Sequence, residues 1–368
     1  MLKMKILYVT TIGRTMVFFS SLIKELLDKG VRVDIACNIM ESPLPKCYVE
    51  WGCRVYPLTC TRHPINKNNL FAIREIKKIT EMESYDIIHC HTPIAAACVR
   101  IACQKVRRQG SKVIYTAHGF HFYKNASLKN WLIYYPIEWL CAHWTDVLIT
   151  INKEDFALAQ KKMKSKRVEY VPGVGIDIER FANKVVDRKK RRMGLGIPDN
   201  AVVLLSVGEL NRNKNHEVII YALKRMADKK IHYIVAGEGG LIDYLKGLAI
   251  KLGVEEQVHL IGFCNDVSEL YKIADLYVHP SMREGLPVAV MEAIAAKIPV
   301  VCSNIRGCQD LVDKKCLFQS MDIDGIINCI KDNINNSTSE IVEKNYCNLQ
   351  AFDTKQVIDR MLKLYFLK

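Results

Sequence analysis

Short apolar runs rich in Val, Ile and Tyr recur along the chain, separated by longer stretches whose apolar residues return every three or four positions. KILYV (5–9), VRVDIAC (31–37), CRVYPL (53–58), DIIHC (86–90), KVIYTA (112–117) and DVLITI (146–151) read as strands. FFSSLIKELLDKG (18–30) reads as a helix closed by its terminal glycine. From Ala201 the same grammar restarts with AVVLLSVG, IHYIVAGEG, QVHLIG, DLYVHPS and IPVVCS. Alternating strands and helices predict a parallel sheet covered on both faces, and the restart predicts two of them. The expected fold class is α/β, with two Rossmann-like doubly wound domains whose strand ends face a central cleft. The boundaries predicted are 1–183 and 184–352, followed by a helical segment at 353–368. The basic run in FANKVVDRKKRRMGLGIPDN (181–200) reads as a solvated helix at the junction.

Composition narrows the class. Fourteen cysteines occur among 368 residues, yet none forms a C-x-x-C pair, and most sit in apolar segments such as those ending at Cys37 and Cys302. They read as buried, reduced thiols of a cytosolic protein. MLKMKILYVTTIG reads as a strand entering a glycine turn rather than a secretion signal. The most apolar long stretch, 131–151, carries Pro136, Glu138, His143 and Asp146 and is not expected to span a bilayer. Net charge is +14, and residues 1–183 hold 27 Lys and Arg against 16 Asp and Glu. A basic first half points to an anionic partner: a phospholipid surface, a phosphate-bearing acceptor or a nucleic acid.

Within SMREGLPVAVMEAIAAKIPVV (281–301), Pro287 suits the start of a helix, which leaves Glu284 in the preceding loop and Glu292 on the second turn. Amides around Gly285 and Leu286 would lie at the positive end of the helix dipole, an anion site suited to phosphate. Two carboxylates flanking that site can accept from hydroxyls. A diphosphate between two polyols describes a sugar nucleotide. By spacing alone, a capped core helix with two solvated glutamates fits equally well. The context tips the balance, because SVGELNRNKN (206–215), GEGG (237–240) and GFCND (262–266) each close a predicted strand of the same half.

These segments, together with DIIHCHTP, YTAHGFHFYK and the run HLIGFCNDVSELYKIADLYVHPSMREGLPVAVMEAIAAKIPVVCS, resemble the retaining glycosyltransferases of family GT4 (group 1), which have the GT-B fold. The resemblance covers almost the whole chain and extends to the subgroup that builds capsule, exopolysaccharide and O-antigen units on a polyprenyl-diphosphate carrier. It implies that Glu284 holds hydroxyls of the donor sugar, with the amides of Gly285 and Leu286 on the sugar and diphosphate, and that Glu292 accepts from the ribose. Lys214 would neutralise the diphosphate and His118 would lie near the anomeric centre. Gly13, Gly208 and Gly237 would let backbone approach the donor, and Phe263 would lie at the base. His91 and His121 are assigned to the acceptor side. The family often has Arg at the position of Glu209, and Arg212 is one candidate for the missing charge. The resemblance further implies a terminal helix that crosses back to the first domain, a UDP-sugar donor in preference to a GDP-sugar, and no cofactor.

The predicted mechanism follows from the motifs. Retention by double displacement needs a carboxylate nucleophile, and none is evident in the first-half motifs. The family is thought to react on one face, with Lys214 and helix amides stabilising the leaving diphosphate. No metal is required by this logic. Asp322 and Asp324 read as a surface turn, and His89 and His91 read as one residue lining the cleft and one stabilising a loop. The aromatic segment 119–144 with Lys124 and Lys129 suits either core packing or a membrane interface. The resulting expectation is a transferase at the inner face of the plasma membrane, with a nucleotide-sugar donor, a lipid-linked saccharide acceptor, an anionic membrane contact and no nucleic-acid partner. The rivals are a GT-B sugar-nucleotide epimerase or hydrolase and a non-catalytic basic binding protein.

Overall fold

The structure, a computed structural model, describes residues 4–335 and 339–366. The chain forms two compact units, one running to Gly175 and resuming at Thr354, the other comprising Ile176–Asp353. The boundary thus precedes the 181–200 segment. Ile176 N–H donates to the Phe352 carbonyl at 3.0 Å, and Phe181 rests on Tyr271 with ring centroids 5.9 Å apart, so residues 176–183 are held in the second unit. The basic run forms the helix Arg188–Met193, which is not wholly solvated. Arg192 is buried, and its guanidinium donates to the Ile273 and Ala201 carbonyls and pairs with Asp275 at 2.7 Å.

In the first unit β1 (Lys5–Ile12), β2 (Arg32–Asn38), β3 (Val55–Pro57), β4 (Ile87–His91), β5 (Lys112–Ala117), β6 (Val147–Thr150) and β7 (Arg167–Tyr170) form one parallel sheet in the order β3-β2-β1-β4-β5-β6-β7. Alternation along β1 sends Leu7 and Val9 into one core and Ile6 and Tyr8 into the other, as a sheet covered on both faces requires. The helix Thr354–Phe366 lies over the second of these cores through Val357, Met361 and Tyr365, one stripe at four-residue spacing. Residues 367–368 of the predicted terminal segment lie outside the described residues.

The second unit repeats the plan with β8 (Val202–Val207), β9 (Ile231–Ala236), β10 (Val258–Gly262), β11 (Leu276–His279), β12 (Val300–Ser303) and β13 (Leu317–Phe318), all parallel, in the order β10-β9-β8-β11-β12-β13. Strand order reverses between β1 and β4 in one sheet and between β8 and β11 in the other. At such switch points the loops leaving the carboxyl ends diverge and open a crevice for ligand.

One buried ion pair fixes the helix Leu128–Ala142 to the first unit. Arg100 Nη1 lies 2.8 Å from Glu138 Oε2, and the guanidinium sits 4.2 Å over the ring of Tyr115, whose hydroxyl donates to Glu138 Oε1 at 3.1 Å. Both charged side chains are nearly inaccessible, so removing one strands the other in a medium that cannot solvate it. Glu138→Ala is therefore expected to cost about 3–5 kcal/mol, while Arg100→Met combined with Glu138→Leu is expected to cost less. Urea denaturation of the two variants against wild type measures both.

Candidate functional site

The groups that carry charge at a switch point lie in the second unit. β8 ends at Val207, and Gly208 (φ +154) leads into the Asn211–Asn215 loop. A side chain at Gly208 would meet the stem of Lys214, with the nearest atom 3.2 Å from its Cβ, so the glycine leaves room for that lysine. Lys214 Nζ reaches Glu284 Oε1 at 2.7 Å, across the gap between the β8 and β11 loops. The two loops are laced together at Asn213: Met282 N–H donates to the Asn213 carbonyl at 2.8 Å, and the side-chain Nδ2 of Asn213 donates to the Arg283 carbonyl at 2.9 Å. Asn211 Oδ1 accepts from the Lys214 N–H at 3.0 Å.

Three glycines hold these loops backbone to backbone. A Cβ on Gly237 would fall 1.9 Å from the Gly208 carbonyl oxygen, and one on Gly307 would fall 2.4 Å from that of Gly285. Gly239 packs against Leu210 in the same way. Any other residue would push the loops apart.

Glu284 is the focus. Burial alone would raise its pKa, but His279 and the Lys214 ammonium hold it well below the usual carboxylate range. His279 Nε2 stands 3.2 Å from the same Oε1, while its Nδ1 lies 3.2 Å from the Tyr277 hydroxyl. Burial lowers the pKa of His279, so a neutral ring serves both partners. Arg306, also buried, donates from Nε to the Glu284 carbonyl at 3.0 Å and fixes the loop from the β12 side.

Glu292 lies where the sequence placed it, on the second turn of the helix Val288–Ala295, with Pro287 as its N-cap residue and Leu286 buried just before. Its Oε2 accepts from the Tyr271 hydroxyl at 2.7 Å, and burial raises its pKa. Arg212 is exposed and forms no ion pair among the described residues, and Glu209 is exposed beside it. Phe263 is 61% exposed on the loop after β10. Asp322 and Asp324 lie at the start of the surface helix Ile323–Asn335, where Asp324 pairs with Arg225 at 2.8 Å.

The first unit gathers imidazoles rather than charges. His91 ends β4, and its Nδ1 lies 3.1 Å from His118 Nε2. His89 and His91 share a face, their ring centroids 4.1 Å apart, yet His89 does not hold a loop. Its Nδ1 meets the Tyr365 hydroxyl at 2.6 Å and its Nε2 the Thr116 hydroxyl at 2.8 Å, so it ties the terminal helix to the sheet. Tyr8 completes the network by hydrogen bonding to Tyr365. His121 stacks on Tyr134 at 4.4 Å, and the two border a cavity of about 240 Å³ with Thr11, Arg62 and Thr92. Gly13 is buried, and its missing Cβ admits the backbone of residues 42–44, with the Ser42 oxygen 2.6 Å from where that atom would stand. Its close approach is thus to the protein's own chain.

His279 and Arg306 escaped the sequence reading. The first closes the predicted strand DLYVHPS at its carboxyl end, the position where ligand-side residues gather, and could have been singled out. The second lies in a loop with no distinguishing spacing.

A doubly wound pair of parallel sheets with charged loops at a switch point defines an α/β architecture with a ligand crevice, and the comparisons with known proteins narrow it. Residues 5–152 match the family model "Glycosyl transferase 4-like", and residues 187–345 match "Glycosyl transferases group 1". The putative glycosyltransferase EpsD of Bacillus subtilis (strain 168) is 38% identical over 288 residues, spanning 77% of this chain and 74% of that protein. An Escherichia coli UDP-Gal:alpha-D-GlcNAc-diphosphoundecaprenol alpha-1,3-galactosyltransferase is 28% identical, over 90% of this chain and 88% of its own. In fold, the chain is similar to Anabaena Alr3699/HepE in complex with UDP and glucose, with a TM-score of 0.81 at 20% identity, over 99% of this chain and all of that one. The chain belongs to the group 1 (GT4) glycosyltransferases and has the GT-B fold.

The neutral imidazoles of the first unit have a measurable consequence. Burial lowers the pKa of His89 to about 3 and that of His118 to about 4, against 6.5 for the free side chain. Between those values and 6.5 the unfolded chain binds more protons than the folded one, so stability is fully present above 6.5 and is lost as pH falls toward 3. The expected slope is about 1.4 kcal/mol per pH unit for each such imidazole. Urea midpoints between pH 7 and 4 should fall steadily in wild type and less steeply in His89→Asn.

Proposed function

We propose that this glycosyltransferase moves a sugar from a UDP-sugar to a lipid-linked, polyprenyl-diphosphate saccharide with retention of configuration, in the synthesis of a bacterial surface polysaccharide. The observation that carries the reading is the Lys214–Glu284–His279 cluster at the switch point of the second sheet. A fixed carboxylate suits the donor's sugar hydroxyls, and an ammonium beside it suits the diphosphate. Glu292, on the helix that follows, suits the ribose. The names of the similar proteins support the donor and acceptor classes: the Escherichia coli relative uses UDP-Gal and a diphosphoundecaprenol acceptor, and the Anabaena structure holds UDP and glucose.

The chemistry proposed is electrostatic. The glycosidic bond to the diphosphate breaks, the acceptor hydroxyl attacks on the same face, and a departing phosphate oxygen takes its proton. Lys214 and the amides of Gly285 and Leu286 stabilise the charge that develops. His118 lies toward the anomeric centre in this reading, and His91 and His121 lie on the acceptor side. No metal enters these steps.

A peripheral membrane contact fits the outer face of the helix Leu128–Ala142. Most rings of the aromatic segment serve the core: Phe120 and Phe122 are buried, while Trp131, Tyr134 and Tyr135 pack partly against it. The most exposed apolar side chains of the helix are aliphatic, Leu128 at 80% and Leu132 at 76%, with the ring of Trp139 exposed to 39%, beside the exposed Lys124 and Lys129. Among the described residues no helix is long and apolar enough to cross a membrane. Aliphatic insertion with flanking lysines is the pattern of an interfacial helix on anionic lipid, which supports the reading of an enzyme peripheral at the inner leaflet.

Nucleotide release from a panel of UDP- and GDP-sugars, with and without a polyprenyl-diphosphate saccharide, tests the reaction. Release from one UDP-sugar that depends on acceptor is expected, and Lys214→Ala should lower kcat on the order of 10²–10³-fold. Acceptor-independent release would establish hydrolysis or epimerisation, and donor binding without turnover would establish a binding protein. In a separate flotation assay with anionic liposomes at low salt, the wild type should float and Leu132→Glu should float less. Wild-type protein that stays in solution would remove the membrane contact.

A further inference from the structure

Glu284 is held on one side only. Lys214 and His279 both bind Oε1, at 2.7 and 3.2 Å, while Oε2 is bound by no group among the described residues and is not sealed from solvent. A carboxylate anchored through one oxygen presents the other in a fixed direction, as recognition of a sugar hydroxyl requires. The anchoring is double, and the two anchors differ in mobility. Lys214 hangs on a flexible stem from the loop after β8, whereas His279 is the last residue of β11, is 2% exposed and is locked in the sheet.

We propose that His279 is a positioning residue that keeps Glu284 aimed at the donor sugar while Lys214 leaves the carboxylate for the diphosphate. The inference rests on the reading that Lys214 and Glu284 meet the donor. In the structure Lys214 is committed to Glu284, so a lysine that also neutralises a diphosphate has to exchange or share partners. Without a second donor, that exchange would leave a largely buried carboxylate without support and free to turn. The imidazole prevents this.

Tyr277 makes the imidazole suitable. It lies two residues back on the same strand, and its hydroxyl keeps its proton, since burial raises its pKa far above the ordinary value. The hydroxyl therefore donates to Nδ1 and leaves the ring proton on Nε2, facing Glu284. The other titratable groups acting on this ring are Lys214 and His216, the latter buried and held neutral. A neutral donor suits the role, because a second cation would compete with Lys214 for the diphosphate.

The test separates sugar from nucleotide. Binding of UDP, UDP-galactose and UDP-glucose is measured by calorimetry for wild type, His279→Ala, His279→Gln and Tyr277→Phe, with kcat and KM for whichever sugar is transferred. For His279→Ala, UDP affinity should match wild type. Affinity for the UDP-sugar and kcat/KM should fall about 10–100-fold, the usual effect of losing an outer partner of a functional group. His279→Gln, whose amide can donate to the same oxygen, should recover most of the loss, and Tyr277→Phe should show a smaller loss confined to the sugar. Equal losses for UDP and UDP-sugar, no loss at all, or a Gln variant as weak as Ala would overturn the proposal. If the Ala variant fails to fold, the Gln and Phe variants decide by the same criterion. Wild type that binds neither UDP nor any UDP-sugar would instead overturn the donor reading on which the proposal stands.

Discussion

A buried carboxylate must be compensated, and around Glu284 that requirement organises the second unit. Its compensating groups come from two strand ends, Lys214 from the loop after β8 and His279 from the end of β11. They meet only because β8 and β11 are neighbours in register, with Leu276 beside Leu204 and Tyr277 beside Leu205. Those strands are far apart in sequence and adjacent only because strand order reverses there. Sheet topology and site electrostatics are thus one constraint. A shift of one residue in β11 would turn His279 to the opposite face and take the imidazole from the carboxylate.

The loops that carry these groups have to come closer than side chains permit, and the glycines answer that need. Gly208 against Gly237 and Gly285 against Gly307 are backbone-to-backbone contacts in which a single methyl group is too large. The first unit solves its own assembly differently. Its terminal helix is held by a hydroxyl and imidazole network, Tyr8 to Tyr365 to His89 to Thr116, in which every ring is neutral. Buried neutral groups need only hydrogen-bond partners, whereas a buried ion also needs countercharge. This is why the helix can be sealed into the core without further cations.

Much of this was legible before any coordinates. The strands with continuous apolar runs were read within a few residues of their true bounds, because a parallel sheet buried on both faces leaves little else in those runs. Two of the edge strands, β7 and β13, were not. RVEY at β7 is half polar, since one of its sides faces no neighbour, and β13 has only two residues. Glu284, Glu292 and Lys214 stood out because a helix start and a glycine turn flank them. His279 did not, because a histidine inside an apolar strand is identical in sequence to one that merely fills the core. Its significance lies in a partner five residues on, across a turn whose shape the sequence does not state. Gly13 is a different case: a glycine after a first strand invites a phosphate, and the space its missing Cβ frees is filled by residues 42–44.

The charge asymmetry of the chain gains a sharper meaning from the same geometry. Nearly all of the net positive charge lies in residues 1–183, yet the strand ends at that unit's switch point carry hydroxyls and imidazoles held neutral by burial. The excess Lys and Arg therefore sit mainly on the surface, where they act at the range of a Debye length rather than by contact. In the second unit the balance is reversed, with little net charge overall and one compensated carboxylate–ammonium pair inside. A basic surface acts on anions at long range without fixing geometry. A nearly neutral surface over an internal ion pair fixes geometry without long-range pull. The two sheets share a topology, and the sequence has divided long-range surface charge and a fixed ion pair at the switch point between them.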